Sequence, residues 1–329
     1  MKNFIKNILF FIAPIIILSY PLDLVISNVL KSKAQLCVGE YEVWNDILES
    51  KIDAEIAIYG SSRAWVHFNP VIFEKELHQK TYNFGIDGHH FHLQYLRHKE
   101  YFKYNTHPKI IIFSVDIFTL AKKKDLYNLN QFLPYMLWND DFYEYTCSYN
   151  GFNSSDYYVP LKRYFGNINL SDICASTTTN RCNGFKGIDK KWNTDLKKAK
   201  ASKPSYRIIL DSTSILLFKQ FINEMKKEDV RLIFVYTPEY IEGQAFVKNR
   251  NDIISVFDEI SKKYNIPFFN YSCSDISYNK SLFYNTQHLN KKGADIFTVR
   301  FINDFKKYKS KTTTNIMPLA DSAKNAVIK

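Results

Sequence analysis

Glycine and proline are scarce in this chain, since each occurs only ten times in 329 residues. Such a low content of turn-forming residues favours long regular elements over a loop-rich scaffold held by disulfides. The five cysteines include no CxxC pair and no spacing with histidine that is typical of a zinc site. Apolar residues make up 46% and charged residues 23%, ordinary values for a globular protein with a core. The composition therefore excludes a collagen, a wholly disordered chain and a multi-span membrane protein.

Motifs for nucleotide binding are also absent, because the chain has neither a Walker loop nor a GxGxxG loop. The formal net charge is +11, but residues 1–33 carry +3 of it and residues 306–329 carry +5. The remaining +3 is spread over residues 34–305, whereas a nucleic-acid-binding domain would carry a basic stripe on its folded part. We therefore predict no nucleic-acid partner and no cofactor. We expect the terminal lysines to favour solubility and attraction to a membrane surface.

Residues 8–30, ILFFIAPIIILSYPLDLVISNVL, form a long apolar run with lysines near both ends. The run is about as long as a helix that crosses a bilayer. No small-x-small cleavage site follows it, which favours an uncleaved signal anchor over a removed signal peptide. The alternative is a buried amphipathic helix, which would need a polar face that the run lacks. We predict that residues 1–33 are a single-pass anchor in the cytoplasmic membrane and that the rest of the chain is extracytoplasmic, either periplasmic or extracellular.

Short apolar runs alternate with helical patterns along the rest of the chain, which is typical of a parallel α/β sheet. Each run is rich in Ile, Val, Phe or Tyr, as expected of a strand that is covered by helices on both faces. The predicted strands are residues 54–60, 81–85, 109–116, 231–238 and 266–272, and the predicted helices are residues 70–79, 89–104, 207–228, 250–264 and 290–308. The fold class is therefore α/β, with about five parallel strands.

Between the third and fourth predicted strands this alternation stops. Residues 120–205 are rich in Tyr, Asn and Ser, and we predict an insertion of loops and short helices over one edge of the sheet. The domain that contains it would extend over residues 34–308, and residues 309–329 would form a disordered basic tail. Because the core predicted for residues 54–306 includes no part of the anchor, we expect a chain without residues 1–33 to fold.

Three polar segments lie where the first two strands and the last loop are predicted to end: GSSR at 60–63, NFGIDG at 83–88 and NTQHLN at 285–290. In an open α/β sheet, ligands bind at the carboxyl ends of the strands. A serine on a strand-to-helix turn exposes its hydroxyl, and a histidine on an opposing loop can act as its base. A single serine in such a turn is more often a helix cap. The order and placement of the three segments together favour a nucleophilic role.

A histidine cluster, GHHFH at 88–92, follows the second of these segments. His89 and His92 are about one helical turn apart, so one helix face could offer two imidazoles to a metal ion. No HExxH pattern accompanies them. We predict no metal site here, and we interpret these residues as polar groups at the start of a helix that lines the cleft.

The three segments together resemble the SGNH, or GDSL-like, hydrolase superfamily, and in particular its membrane-anchored branch that acts on bacterial envelope polymers. That branch includes the teichoic acid D-alanylation protein and the alginate acetylation proteins. The resemblance covers residues 54–118 and 230–306. It implies a flavodoxin-like three-layer sandwich and an acyl esterase or O-acyltransferase whose partner is an envelope glycan or acylated polymer. For a transferase it also implies a membrane-bound O-acyltransferase partner that supplies the acyl group.

The resemblance implies roles for single residues as well. Ser62 in GSSR occupies the place of the family's nucleophile, and Gly88 in NFGIDG that of its oxyanion-hole glycine. His288 matches the histidine of the family's last block, and the HLNKKGADIF that begins there looks like the family's HLN-x-x-G-A ending. The backbone N–H groups of Ser62 and Gly88 would then hold the oxyanion. Gly88 is equally well explained as a turn glycine that needs a positive φ.

Two positions depart from the family's pattern. Asn285 stands where the family has the acid that orients the histidine, and an amide carries no charge to stabilise the imidazolium. Asp275 is an alternative orienting group. Asp116 stands in the third block, where an asparagine usually donates to the oxyanion. An ionised carboxylate cannot donate, so the role left for Asp116 is a supporting one, such as an ion pair with Arg63.

The sequence thus predicts a membrane-anchored, extracytoplasmic acyl esterase or O-acyltransferase, with Ser62 as nucleophile and His288 as base. Hydrolysis and transfer differ only in whether water or a sugar hydroxyl intercepts the acyl-enzyme, so both activities stay open. A non-catalytic alternative is a scaffold or glycan-binding protein whose site has decayed, which Asn285 and Asp116 favour. In either case, an insertion rich in Tyr and Asn suits contact with a carbohydrate.

Overall fold

The core of the molecule is a five-stranded parallel sheet in the order β2-β1-β3-β4-β5. The structure is a computed structural model, and it describes residues 2–33, 36–169, 174, 181–202 and 205–324. The strands are β1 Ile56–Gly60, β2 Thr81–Asn83, β3 Ile110–Val115, β4 Arg231–Tyr236 and β5 Phe268–Asn270. This strand order is that of flavodoxin-like folds, whose ligands bind at the carboxyl edge where the order reverses, between β1 and β3. The predicted α/β fold class is confirmed.

Helices cover both faces of the sheet. In chain order they are α1 Lys2–Lys31, α2 Glu40–Leu48, α3 Ser62–His67, α4 Pro70–Leu77, α5 Phe91–Tyr104, α6 Asp140–Thr146, α7 Ser154–Tyr158, α8 Asp195–Ser202, α9 Ser212–Lys227, α10 Ile241–Gln244, α11 Arg250–Tyr264 and α12 Lys291–Lys324. Core residues of α2, α5, α9 and α11 pack on one face, and those of α4 and α12 pack on the other. The result is a three-layer sandwich.

Alternation along the central strands places their side chains in two separate cores, since successive residues of a strand point to opposite faces. In β3, Ile111 and Phe113 lie in the core beneath α5 and α9, whereas Ile110 and Ile112 lie in the core beneath α12. All six residues of β3 are buried. A strand that is buried on both faces needs a nearly continuous apolar run, and β3 has one in which Ser114 is the single polar residue. Such a run is the signal that predicts the strand from the sequence.

Within the described residues, one helix is long and apolar enough to cross a membrane: the segment Ile12–Lys31 of α1 has a mean hydropathy of 1.7. The second half of α1 also packs against the rest of the protein. Asp23 is fully buried and receives two hydrogen bonds of 2.6 Å from the guanidinium of Arg163. Leu30 lies in the core with α2. The expectation that the core is complete without residues 1–33 is therefore wrong.

The first part of the segment predicted as an insertion packs beside α1 and α5, and a later part passes the β2 edge of the sheet. A 3-10 helix, Leu129–Tyr135, lies against α1 and α6 lies against α5. Farther on, the Asn183 carbonyl accepts a hydrogen bond of 2.9 Å from the Asn83 N–H at the end of β2. Most of the SDICASTTTNRC stretch lies outside the described residues. The boundaries of this insertion stay a prediction.

At the carboxyl end, α12 continues to Lys324, so a helix covers much of the segment for which the sequence predicts a disordered tail. No glycine or proline interrupts residues 294–317, and without such a residue nothing in the local sequence ends the helix. Residues 325–329 of the predicted tail lie outside the described residues.

Candidate active site

The turn after β1 brings two adjacent serines to the carboxyl edge of the sheet. Gly60 ends the strand with a φ of +140°, and a Cβ atom there would lie 2.7 Å from the Ser114 carbonyl oxygen, so glycine is required. Ser61 caps α3, because its Oγ accepts from the Arg63 N–H at 3.3 Å. Ser62 is the first residue of α3 and is half-buried in the wall of a cavity. One serine thus caps the helix, and its neighbour is available for a contact in the cavity wall.

Ser62 and His288 lie next to each other in the wall of this cavity. The distance between Ser62 Oγ and His288 Nε2 is 2.8 Å, which is a hydrogen bond between residues 226 positions apart. His288 lies on the loop that precedes α12. A neutral imidazole that accepts at Nε2 can take the proton of the hydroxyl as the oxygen attacks an electrophile. The structure therefore brings together the two residues that the sequence identifies on separate segments.

Asn285 orients the imidazole from its other side. Its Oδ1 lies 3.0 Å from His288 Nδ1, and it also accepts from the main-chain N–H groups of Gln287 at 3.0 Å and His288 at 2.9 Å. Two main-chain donors on one atom identify that atom as the amide oxygen, because an NH2 group cannot accept them. The ring must therefore donate from Nδ1, which leaves Nε2 free to accept from Ser62. The amide fixes the tautomer that a general base needs.

The site also keeps His288 neutral. Burial of the ring and, after it, the positive charge of Arg63 lower the pKa of His288 to about 4. The negative charge of Asp116 acts in the opposite direction. The ring is therefore unprotonated at neutral pH, and it is able to accept a proton.

Gly88 lies in the loop after β2, on the wall of the same cavity. Its φ is +72°, and a Cβ atom would collide with the ring of Tyr127, so both conformation and space require glycine. The adjacent Asp87 lines the cavity too. Burial and the nearby Glu40 charge raise the pKa of Asp87 to about 6. The loop thus contributes a main-chain segment and a titratable carboxyl to the space in front of Ser62.

Asp116 and Arg63 do not pair with each other, so that interpretation is wrong. Asp116 Oδ2 accepts from the Ser61 hydroxyl at 2.5 Å, and its Oδ1 accepts from the Phe118 N–H at 2.8 Å. The Arg63 guanidinium points away, to Glu239 Oε1 at 2.7 Å. The carboxylate satisfies donors of its own turn and of the turn after β1, and it therefore joins the ends of β1 and β3.

Asp275, the alternative orienting group, is not near the imidazole. It forms a bidentate ion pair with Arg300 at 2.8 and 3.1 Å, and its side chain is 72% exposed. An exposed aspartate gains more from the charge of an arginine than from a neutral ring. Of Asp275 and Asn285, it is Asn285 that contacts His288.

His67 is a part of the site that the sequence analysis missed. It ends α3 and is fully buried, with its Nε2 accepting from the Leu289 N–H at 3.0 Å. Its Nδ1 lies 2.9 Å from the Thr237 hydroxyl. Burial lowers the pKa of His67 well below its usual value, so the ring is neutral and can accept from the main chain. His67 therefore ties the helix that carries Ser62 to the loop that carries His288, although a lone histidine gives no sequence signal for this.

A buried ionic cluster behind the Gly88 loop was also missed. Glu40 at the start of α2 is fully buried and accepts from Arg97 and Arg181, each at 2.5 Å. Its Oε1 accepts from the Asp87 N–H at 3.1 Å as well. Arg181 in addition donates to the Gly85 carbonyl at 3.2 Å. The three charged residues are far apart in the sequence, and together they hold the loop in place.

The cavity that these elements enclose has a volume of about 480 Å³. Besides the serines and His288, its wall includes charged and aromatic residues from the loops after β2 and β3: Asp87, His90, Phe118, Lys123, Asp125, Tyr127 and Tyr149. In the part of the chain that the structure describes, no group of three or more metal-ligating side chains occurs. The three histidines of the cluster have different partners: His89 lies 3.0 Å from Gln131, His90 lies 2.9 Å from the Ala121 carbonyl and His92 lies 3.2 Å from Tyr149.

Comparison with family models and with curated proteins found no match. Among solved structures, a crystal structure of a Bacteroides fragilis protein described as a candidate acylhydrolase is similar to this chain at a TM-score of 0.36 and 11% sequence identity. The match covers 77% of this chain and 86% of that one. A likeness at this TM-score carries no argument, so the function has to be argued from the geometry of the site.

Proposed function

We propose that this protein is a membrane-anchored, extracytoplasmic SGNH-like acyl esterase or O-acyltransferase that acts on an envelope glycan. The observation that carries the proposal is the aligned series Ser62 Oγ, His288 Nε2, His288 Nδ1 and Asn285 Oδ1, with distances of 2.8 and 3.0 Å. The series opens into a cavity at the carboxyl edge of a parallel sheet. Nucleophile, base and orienting group are the three parts that acyl transfer to a serine requires.

The first chemical step is attack of Ser62 Oγ on the acyl carbonyl carbon. His288 Nε2 takes the hydroxyl proton as the carbon–oxygen bond forms, and the carbonyl electrons move to the oxygen. The tetrahedral intermediate then collapses, the alcohol leaves with the proton from Nε2, and an acyl-serine remains. The pKa of about 4 for His288 means that the ring begins this cycle unprotonated at neutral pH.

The oxyanion would be held by main-chain N–H groups. Ser62 stands at the first position of α3 and Gly88 lies in the facing loop, and both line the cavity. Asp116 accepts from three donors of its surroundings and offers no proton to an oxyanion. A hydrogen bond to the oxyanion from the position of Asp116 is therefore missing. The proposed oxyanion hole contains the two main-chain N–H groups alone.

The acyl-serine is resolved by water in an esterase and by a sugar hydroxyl in a transferase. The mixed wall of the cavity suits a polyhydroxylated substrate, because Asp87, Asp125 and Tyr127 offer polar groups beside the rings of Phe118 and Tyr149. For the transferase, a membrane-bound O-acyltransferase would supply the acyl group. The apolar length of α1 would keep the site close to such a partner and to the envelope polymer.

The second candidate function is a glycan-binding scaffold with a decayed site. Two observations favour it. The group that orients the imidazole is the neutral amide of Asn285, and the carboxylate of Asp116 stands where an oxyanion donor would be expected. In this case the cavity would bind a sugar without forming an acyl-serine. The two functions differ in one measurable property, which is the nucleophilicity of Ser62.

The test is covalent labelling of the full-length protein in detergent with a fluorophosphonate probe. We expect labelling of the wild type, loss of labelling in Ser62→Ala and in His288→Ala, and retained labelling in Ser61→Ala. Ser61 is the matched control because it is the adjacent serine on the same turn, with its hydroxyl engaged by Asp116. Absence of labelling in a folded wild-type protein that still binds an envelope glycan would favour the scaffold.

A further inference from the structure

The segment after β3 exposes several large apolar side chains on one side of the molecule. Trp138 is 54% exposed, Tyr158 47%, Val159 50% and Phe165 74%. They come from two stretches that touch each other, because the Trp138 indole N–H donates to the Tyr158 carbonyl at 3.0 Å and the Trp138 main-chain N–H donates to the Tyr157 carbonyl at 2.8 Å. Apolar residues that cluster at the surface in this way mark a contact with a partner or a membrane.

This cluster continues directly onto α1. The rings of Tyr20 and Trp138 are stacked with their centroids 4.9 Å apart. On the N-terminal side of Tyr20, α1 exposes further apolar side chains, including Ile15 at 69% and Leu18 at 63%. We call the set Tyr20, Trp138, Tyr158, Val159 and Phe165 the aromatic patch. Its members Tyr20 and Trp138 are in contact where α1 meets the rest of the domain.

Buried ionic contacts fix the helix at this place. Asp23, one turn beyond Tyr20, is bound by the Arg163 guanidinium through two hydrogen bonds of 2.6 Å, and it also accepts from the Leu161 N–H at 2.6 Å. Ser27 Oγ lies 2.6 Å from the Tyr164 hydroxyl. The charge of Asp23 is therefore satisfied inside the protein. These contacts join α1 directly to the stretch 161–164 beside the patch.

Because Asp23, Ser27 and Leu30 are buried in the domain, the part of α1 that can enter a bilayer is the part before them, and this part ends at the patch. From Lys2 to Tyr20 the helix rises about 27 Å, at about 1.5 Å per residue, and its apolar part from Ile8 to Tyr20 rises about 18 Å. The hydrocarbon core of a bilayer is about 30 Å thick. Lys6 can extend its ammonium group to the far headgroups, and a bilayer can thin locally around a short apolar stretch. If the first part of α1 fills that core, Tyr20 and Trp138 lie at the depth where tyrosine and tryptophan side chains are enriched. Lys162, exposed beside the patch, is suited to a phosphate headgroup.

We propose that the aromatic patch is a docking surface for the phospholipid bilayer, in which these side chains enter the boundary between headgroups and acyl chains. The proposal rests on α1 as the membrane anchor, but it does not depend on catalysis. Lipid fits better than a second protein because the patch is continuous with the exposed apolar face of α1. The indole N–H of Trp138 is already bonded to a carbonyl, so the ring can enter an apolar phase without an unpaired donor.

The test uses the full-length protein in phospholipid vesicles and the quenching of tryptophan fluorescence by brominated lipids. Lipids with bromine close to the headgroup should quench strongly, and lipids with bromine at the bilayer centre should quench less. We expect Trp138→Phe to remove most of this quenching. Trp192→Phe is the matched control, since Trp192 is also partly exposed but packs on Tyr240 with centroids 4.8 Å apart, away from α1. It should leave the quenching unchanged.

Flotation of the vesicles separates the possible failures. A protein that floats with the vesicles, with equal quenching in the wild type and in Trp138→Phe, would overturn the docking surface and leave the anchor intact. Cross-links between the Trp138 positions of two chains would instead show that the patch binds a second copy of the protein. That result would overturn lipid docking. A folded protein that does not float would overturn both the anchor and the docking surface. Fluorophosphonate labelling of Ser62 in the same vesicles reports on the proposed activity independently.

Discussion

At the residue scale, the chemistry of the site depends on which atom of Asn285 faces the ring. An amide that turned its NH2 toward His288 would force the tautomer in which Nε2 is protonated and cannot accept from Ser62. Here two main-chain donors occupy the amide oxygen together with His288 Nδ1. Asn285 therefore supplies the orientation that an acid would supply, but it lacks the charge.

Replacement of Asn285 by aspartate tests that difference. Asn285→Asp keeps an oxygen for all three donors and adds a negative charge that stabilises the imidazolium formed during attack. A charge-assisted hydrogen bond can exceed a neutral one by about 1.4 kcal/mol, which corresponds to about a tenfold gain. We expect kcat/KM on a small acetyl ester to rise by about that factor. His288→Ala is the control, and equal rates for the wild type and His288→Ala would remove the base assignment.

The pH dependence of the same reaction follows from the pKa of His288. Burial lowers this pKa to about 4, so the neutral base persists far below the usual range of histidine. We expect kcat/KM to be constant near neutral pH and to fall only as the pH decreases through about 4. In Asn285→Asp the added charge should raise the pKa and shift the acid limb to higher pH. An acid limb near the ordinary histidine value in the wild type would contradict the burial argument.

At the scale of elements, the most consequential contact is the one between α1 and the segment after α7. Arg163 and Asp23 are each about 1% exposed, and their side chains pair through two hydrogen bonds. Removing one partner of a buried pair leaves an uncompensated charge, which typically costs about 3–5 kcal/mol. The pair therefore ties the stability of the domain to the presence of the helix.

The corresponding variant is Asp23→Asn. We expect it to lower the free energy of unfolding by several kcal/mol, measured by urea denaturation of the full-length protein in detergent, because Arg163 stays buried and charged. Glu49→Gln removes one partner of an exposed pair with Lys51, and it should have almost no effect. A loss in Asp23→Asn no larger than in Glu49→Gln would show that the buried pair does not stabilise the junction.

The strands and the meeting of the serine and histidine segments follow from local sequence patterns. The run predicted at 109–116 becomes Ile110–Val115, since a short apolar run rich in Ile, Val and Phe is typical of a strand covered on both faces. Segments at the carboxyl ends of parallel strands then meet at one edge, whichever loops connect them.

The buried ionic contacts could not be predicted in the same way. In the sequence Asp23 is a single charged residue inside an apolar run. Its partner Arg163 lies 140 residues away, in a stretch without a helical or strand pattern. The same holds for Glu40, whose partners Arg97 and Arg181 lie on other elements. A single charged residue gives no indication of which distant charge compensates it, so only the assembled fold reveals the pair.

At the scale of the whole molecule, α1 belongs to two environments, and this decides where the chain can be cut. Its first part presents apolar side chains outward, such as Phe10 at 77% and Ile12 at 45% exposure. Its last part contributes Asp23, Ser27 and Leu30 to the interior. A cut after residue 33 therefore removes three residues that are packed in the interior of the domain.

Two truncations distinguish these environments. A chain that begins at Tyr20 keeps Asp23, Ser27 and Leu30, the residues of α1 that are buried among those whose burial the structure describes. We therefore expect it to fold with a melting temperature close to that of the full chain. A chain that begins at residue 34 leaves the Arg163 guanidinium buried without Asp23, and we expect it to aggregate or to melt at a much lower temperature. Addition of Arg163→Leu to the shorter chain removes the uncompensated charge and should recover part of the loss. Equal yields and equal melting temperatures for the two truncations, measured by size-exclusion chromatography and differential scanning fluorimetry, would show that the domain does not need the helix.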